Sequence, residues 1–355
     1  MTADDSIPRD TGPGASENPR VGVVGAGLSG LVCARRLREA GFPVTVLERA
    51  RRAGGRQSTR REDFEGRQLE FDHGAQYFTV RDPEFEHFLA PYHLEEPSLV
   101  REWTVPVVVL EKGKVRGRSD STRRYVFTPS MDTLTQRLSE EVPCRFQTEV
   151  TRLERRQGTW FLFGEKDDTI LECEILVLST PAVNALRLLP GDVPLAPRLH
   201  QMRYAPIWTL MVHFPEPLGQ SFGGAFVDAS ALSWIANNDT KPGREVDRGE
   251  SWVLHGTPEW SHAHLETPGE EIASPMLAAL EEALGRSLPE PIFVRPHLWR
   301  LALPTLAANE PCLWSAPWRL GIAGDGCPAG ARIEGAFTSG TSLARRIAEE
   351  LATGD

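Results

Sequence analysis

Residues 21–48, VGVVGAGLSGLVCARRLREAGFPVTVLE, constrain the fold more than any other stretch. An apolar run at 21–24 has strand length and is followed at once by Gly25-Ala26-Gly27-Leu28-Ser29-Gly30. Helical periodicity then reaches Ala40, with Leu31, Ala34 and Leu37 on one face and Arg36 and Glu39 opposite. Gly41 ends that helix, Pro43 cannot continue it, and a second apolar run at 44–47 closes on Glu48. Strand, glycine turn, helix, strand and acid, in that order, read as a dinucleotide-binding unit. Gly25 permits the tight turn, Gly27 lets a pyrophosphate approach the backbone, and Gly30 lets helix and strand pack closely. The helix start offers free N–H groups and a positive dipole end to the phosphates. Glu48, 18 residues after Gly30, is placed to accept hydrogen bonds from an adenosine ribose and to repel a 2′-phosphate. An ordinary βαβ turn is the alternative reading.

The length, 355 residues, allows two domains or one interleaved pair. At 40% hydrophobic and 25% charged, the composition is that of a soluble globular protein. No apolar run approaches the roughly 18 residues of a membrane span. A net charge of −10 argues against a general nucleic-acid surface. Residues 1–19 are polar, hold three prolines and lack the apolar core of a signal peptide, so a disordered tail and a cytoplasmic location are expected. Five cysteines without a CxxC pair give no sign of a disulfide framework or zinc site.

After Glu48, residues 49–61 carry six arginines and the pair Gly54-Gly55. A solvated basic face is one reading. Directly after the second strand, however, two glycines allow close approach and Arg56 can neutralise a diphosphate. Arg60 and Arg61 fit either reading. Residues 71–78, FDHGAQYF, bring Asp72, His73, Gln76 and Tyr77 together around Gly74 and Ala75, a polar and aromatic group suited to lie beside a planar cofactor. A histidine at 73 serves either packing or chemistry.

Together, the GxGxxG unit with Glu48, the Gly54-Gly55-Arg56 loop and the Asp72-His73-Gly74-Ala75-Gln76 stretch resemble the FAD-dependent amine oxidase superfamily, and within it the renalase-like oxidoreductases. The resemblance implies an α/β fold: a Rossmann-type FAD-binding domain interleaved with a mostly antiparallel β-rich substrate domain. It assigns 20–78, 126–182 and 298–355 to a three-layer FAD domain, and 79–125 and 183–297 to the substrate domain. It implies non-covalent FAD, with Arg49, Gly55, Arg56, His73, Gly74, Ala75 and Gln76 among the residues holding it. It also implies that Val150 offers its backbone to the adenine, although from the residues alone Val150 is a strand valine. Ser179-Thr180-Pro181 matches a second cofactor-side loop. Residues 296–300 resemble a stretch that re-enters the flavin region, making Trp299 and Arg300 candidates for the active-site wall beside Tyr77 and His73; strand packing plus a surface arginine is the equal alternative.

A second strong signal lies at the C-terminal end. Residues 320–326, LGIAGDG, run a strand into Gly-Asp, and 332–336, RIEGA, open a helix to about 351. Asp325 is placed for ribityl hydroxyls. A helix start at Glu334-Gly335-Ala336 would aim N–H groups at the flavin edge that gains negative charge on reduction. Cys327 lies too close to Asp325 to match the position at which some amine oxidases attach FAD.

Elsewhere the pattern predicts strands at 103–110, 145–153, 159–163, 170–174, 175–178, 207–214, 224–227, 232–237 and 251–256. It predicts a hairpin turn at 111–114, a helix from Ser130 or Asp132 to about 141, and another at 270–284. Trp208, Trp234, Trp252 and Trp260 are core by default, with one or two available to line a cavity. His255, His262 and His264 are too loosely spaced for a metal site.

The function implied is FAD-dependent oxidation: hydride passes from a donor to flavin N5, and oxygen takes the electrons as hydrogen peroxide. The renalase-like resemblance implies 2- and 6-dihydro isomers of NAD(P) as donors, which need little acid–base machinery. Rival readings are an amine oxidase, a cyclic or isoprenoid dehydrogenase or desaturase, and a flavin-binding protein without turnover. An amine oxidase often uses a lysine reaching N5 through water; residues 183–303 contain only Lys241, on an expected turn, which weighs against that.

Overall fold

A computed structural model describes residues 18–118, 121–244, 248–328 and 332–352, so the expected tail lies almost wholly outside the described residues. The first sheet runs Leu313–Ser315, Leu320–Ile322, Ile175–Leu178, Val21–Val24, Val44–Leu47, Cys144–Arg145, all parallel except the first. Its central strands are short continuous apolar runs because both faces are covered. Val21, Val23, Val46 and Val177 face helices Leu28–Glu39, Thr133–Glu140 and Ile333–Ala352. Val24, Leu47, Leu176 and Leu178 face an antiparallel meander of Arg152–Arg156, Thr159–Phe163 and Thr169–Cys173. Helices, parallel sheet and meander make three layers.

A seven-stranded sheet runs Phe293–Leu306, Arg203–Phe214, Glu250–Gly256, Leu232–Asn237, Gly224–Asp228, Val107–Glu111, Lys114–Arg118. Only the pairing of Gly224–Asp228 with Val107–Glu111 is parallel. Helix Gly269–Leu284 buries Ile272, Met276 and Leu280 against one face. The hairpin of Arg60–Phe64 and Arg67–Phe71 sets Leu69 and Phe71 against Met211 and Val253 on the other.

Several expectations change. The strand expected at 145–153 is two short strands, because Gln147 adopts φ 53° and breaks the run, leaving Val150 in the link. Trp103 is outside a strand: Val100–Glu102 pairs with Tyr125–Phe127, and the sheet strand begins at Val107. The 111–114 hairpin forms, with Lys112 and Gly113 both at positive φ. Helix Pro83–Leu94, within the stretch expected in the substrate domain, packs Phe85 and Phe88 on Phe337 of the last helix, in the first sheet's core. Residues 298–306 continue the seven-stranded sheet instead of leaving it. Asp132 sits at the N-cap position, but its carboxylate is drawn to Arg61 (2.8 Å) and the Ser130 hydroxyl (2.6 Å), so it makes no capping bond. Among the described residues no helix is long and apolar enough to cross a membrane.

Candidate active site

The glycine turn closes on the neighbouring Ser179-Thr180-Pro181 loop. A Cβ on Gly25 (φ 107°) would lie 2.5 Å from the Ser179 carbonyl oxygen, and one on Gly30 would lie 2.1 Å from the Gly25 oxygen. A Cβ on Gly27 would meet nothing within 4 Å. The open space therefore sits at the start of helix Leu28–Glu39, whose first N–H groups have no partner inside the helix. That is the shape and donor set a diphosphate requires. Leu28 and Ser29 are buried beneath it. Glu48 accepts from the Ala26 and Ala50 N–H groups, both at 2.8 Å, which fixes its carboxylate at the strand end. Residues 147–148 run beside it, with Gln147 N–H bonded to Ala50 and Thr148 N–H to Glu48. Val150 thus lies buried near the acid. Arg49 points outward, 69% exposed, with Glu149 at 3.8 Å.

The second glycine loop lies over the first. The Gly54 N–H donates to the Ala26 carbonyl at 3.0 Å, and a Cβ on Gly55 would lie 3.4 Å from Gly27 Cα. Arg56 donates to the Asp325 carboxylate and to the Ala302 carbonyl (2.9 Å), joining the loop to the C-terminal Gly-Asp turn. The Arg56 carbonyl accepts from Ala75 N–H at 2.9 Å, and Gly74 passes so close that a Cβ would lie 2.1 Å from that oxygen. Tyr204, its hydroxyl pushed up to about 12 by burial, accepts from Ala182 N–H at 3.2 Å beside Gly326. Glu334 turns away from the helix it opens: its carboxylate accepts from Arg81 and Asp82 N–H. Gly335 and Ala336 stay half-buried at that helix start.

Asp72 organises a buried charge cluster. Its Oδ1 accepts from the Thr59 hydroxyl (2.6 Å) and Met131 N–H (3.0 Å), and its Oδ2 from Lys241 Nζ (3.0 Å) and Arg244 (2.5 Å). Lys241 also donates to Gln76 Oε1 (3.2 Å) and Asn238 Oδ1 (3.3 Å). Burial alone would raise the Asp72 carboxyl, but the two cations and the hydroxyl hold it below the ordinary carboxylate range. Lys241 falls to about 8, chiefly through burial, with Asp72 opposing. Lys241, on a turn as expected, is wholly buried and bridges the 72–76 loop to the seven-stranded sheet's turn.

Three histidines gather beside this cluster. Sheet register sets His255 and His297 on either side of Thr209, and His73 packs on His297 and on Trp299, each at 4.9 Å between centroids. The His73 carbonyl accepts from Trp299 Nε1 (3.1 Å) and lies 3.3 Å from His255 Nε2. Burial lowers His73 to about 3, and His255 and His297 to about 4. All three are neutral imidazoles near pH 7. His73 Nδ1 and Thr209 Oγ1 are buried without a partner, as is Trp234 Nε1 nearby. Tyr77 stands 5.4 Å from Trp234 and 6.4 Å from Trp103.

The structure therefore brings the glycine turn, Glu48, Gly55, Arg56, Asp325, the 73–76 loop and Trp299 into one continuous region. It does not bring Arg300 there: strand alternation turns that side chain outward, where it is 59% exposed and pairs with Glu266 at 3.1 Å. Arg61 serves the fold, holding Glu70 and Asp132. Sequence reading missed Arg244, Asn238, Trp103 and Arg124, whose partners are remote in the chain. Of the expected core tryptophans, Trp208 and Trp252 are buried among the aliphatic residues of the seven-stranded sheet. Among the described residues no cluster of metal-ligating side chains occurs.

Comparison with known proteins bears on the family and the fold. Residues 23–92 match an NAD(P)-binding Rossmann-like domain, and residues 108–348 match the family described as flavin containing amine oxidoreductase. An L-amino acid oxidase of Lachesis muta is 58% identical over 53 residues, covering 15% of this chain and 10% of its own. An L-amino-acid oxidase of Bothrops pauloensis is 55% identical over 56 residues, covering 16% and 11%. The match thus spans about a tenth of these relatives' length. Cyclohexylamine oxidase from Brevibacterium oxydans superposes with a TM-score of 0.72 at 15% identity, over 95% of this chain and 100% of that one. Putrescine oxidase bound to putrescine gives 0.66 at 15% identity, over 94% and 99%. At such identities the likeness is one of fold.

Proposed function

The chain belongs to the family of flavin-containing amine oxidoreductases, and on that premise we propose that it oxidises a hydride donor of the dihydronicotinamide class, whose donating ring is uncharged: the 2- and 6-dihydro isomers of NAD(P). As a member of that family it is an FAD-dependent oxidoreductase, and its flavin is held without a covalent link, Cys327 lying too close to Asp325 to match an attaching position. In such enzymes the flavin supplies hydride acceptance, and the protein binds, orients and polarises it. The residues fit the cofactor: Gly27 and its helix start take the diphosphate, with Gly25, Ala26, Leu28, Ser29 and Gly30 shaping the turn. Glu48 would take the ribose and Val150 the adenine. Asp325 and Arg56 would hold the ribityl–diphosphate region. The helix start at Glu334, Gly335 and Ala336 would serve the pyrimidine edge. His73, Gly74, Ala75, Gln76 and Trp299 would border the ring, and Tyr77 the donor. Oxygen is the proposed acceptor, giving hydrogen peroxide.

One observation carries the choice of donor. The groups that could take a proton there are already committed or too weak. His73, His255 and His297 are lowered to about 3 or 4, too acidic to strip an ammonium near pH 7. Lys241 is bound to Asp72, Gln76 and Asn238. A donor whose reacting ring is already uncharged and electron-rich needs no such base. The amine reading is favoured instead by the family and by the substrates in the relatives' names.

Anaerobic visible spectra of the FAD-loaded protein separate the two. Bleaching of the flavin by a mixture of the 2- and 6-dihydro isomers, and not by NADH or an amine panel, is the expected result. Bleaching by an amine alone would overturn it. Absence of flavin absorbance after FAD addition would overturn cofactor and donor together.

A further inference from the structure

We propose that the donor site beside Tyr77 discriminates by charge, admitting neutral or anionic planar molecules and excluding ammonium groups, because the protein's own cations already sit against two of its three aromatic rings. The inference rests on the reading above for the place of the site, and it concerns which charges that place accepts.

Tyr77, Trp103 and Trp234 form an aromatic group at the junction of the two sheets' loops. Such a group is ordinarily a receptor for cations, since ring faces attract positive charge. Here two of the three rings already carry a cation. Arg124 Cζ lies 5.2 Å from the Tyr77 centroid, and Lys241 Nζ lies 5.9 Å from that of Trp103. Both side chains are buried, at 7% and 2% exposed. Trp103 is held by its own bond from Nε1 to the Thr240 hydroxyl (3.1 Å), so the ring cannot turn another face without losing it.

The charge balance points the same way. Lys241 and Arg244 share one carboxylate oxygen of Asp72, so two buried cations face one buried anion. Asp239, the other acid near Lys241, is pushed up to about 7 by burial and by Glu250, which leaves it a weak counter-charge near neutrality. Asp325 is engaged by Arg56. After burial, the charges that lower the neighbouring imidazoles include Arg60 at His73 and His297, and Lys241 at His255. A like charge entering such a region meets repulsion that low dielectric does little to screen. A neutral ring can stack there, and an anion gains.

The test uses oxidised FAD-loaded enzyme near neutral pH and three ligands of one size: benzoate, benzamide and benzylammonium. Each is titrated while flavin absorbance is followed. Benzoate and benzamide are expected to bind at least about tenfold more tightly than benzylammonium, a margin of about 1.4 kcal/mol. Lys241→Met and, separately, Arg124→Gln should each narrow the benzoate-to-benzylammonium ratio at least about threefold and leave benzamide within about twofold. If Lys241→Met loses its flavin, Arg124→Gln and the wild-type ratio still decide. Equal affinities, tighter benzylammonium, no spectral response to any of the three, or a ratio unmoved by the surviving variants would overturn the proposal. Failure of the dihydro isomers to bleach the flavin while the charge preference persists would overturn the donor reading alone.

Discussion

Arg56 and Asp325, 269 residues apart, form an ion pair that ties the glycine loop after the second strand to the turn after the last. Arg56 also donates to the Ala302 carbonyl at 2.9 Å, so one guanidinium joins the 54–57 loop, the long strand Phe293–Leu306 and the C-terminal Gly-Asp turn. Both partners are partly buried, with side chains 30% and 16% exposed, and a planar fork suits this shared duty. On the proposed placement of the cofactor, the pair borders its diphosphate and ribityl chain. Replacing Arg56 with Met removes charge-assisted bonds of about 1.5–3 kcal/mol. FAD affinity, read by titrating apoprotein with FAD and following fluorescence quenching, should fall about tenfold to a hundredfold, with Arg56→Lys in between.

Gly27 and Gly30 make separable predictions. Ala at position 30 would press its Cβ into the Gly25 carbonyl, a backbone atom that cannot yield, so Gly30→Ala should lower apoprotein thermal stability. Ala at position 27 meets open space at φ −78°, which any residue adopts, so apoprotein Tm should hold within about a degree. Yet its methyl would fill the space left for the diphosphate, and FAD affinity should drop at least about tenfold. If Gly27→Ala binds FAD normally, the phosphate lies elsewhere.

What could be read in the sequence was local. The strand–turn–helix–strand unit is encoded within residues 21–48, and its elements form as patterned. The burial of Lys241 is not legible in the sequence, because its partners Asp72 and Gln76 lie 169 and 165 residues away and Lys-Pro-Gly signals only a turn. Trp299 and Arg300 were treated alike, although strand alternation alone sends neighbours to opposite faces. Helix Pro83–Leu94 does carry a legible signature: Asp82 caps it by accepting from Glu84 N–H, Pro83 opens it, and Phe85, Phe88, Leu89 and Tyr92 share a face. The break at Gln147 leaves no sequence signal, since glutamine seldom adopts positive φ.

Asp72 is the sole carboxylate bound to Lys241 and Arg244 in the described contacts, and all three are buried. Asp72→Asn would leave two buried cations facing each other, a loss of about 3–5 kcal/mol. Thermal denaturation should show a Tm lower by several degrees. Adding Lys241→Met to Asp72→Asn should recover part of that loss, because the second change removes the charge the first one stranded. Additive losses in the double variant would show that the pairing does not stabilise the fold.

Acid should weaken the protein through its imidazoles. His73 falls to about 3 in the folded chain, chiefly through burial, and returns to about 6.5 when unfolded. Between those values the unfolded chain binds the proton and the folded chain does not, so stability rises with pH across that window. The stability tied to a neutral His73 is whole above about pH 6.5 and is lost as pH falls toward 3, at about 1.4 kcal/mol per pH unit. His255 and His297, lowered to about 4, act in the same direction. Urea unfolding of wild type at a series of pH values between about 6.5 and 4.5 should give a falling free energy, and His73→Phe should flatten that slope by roughly the share of one titrating group. The phenyl ring keeps the contact with Trp299 and His297, so a changed slope reports the lost proton site rather than lost packing. An unchanged slope would mean that His73 takes up its proton as readily in the folded protein as in the unfolded chain, and the argument for a donor with a neutral ring would lose its base-poor site.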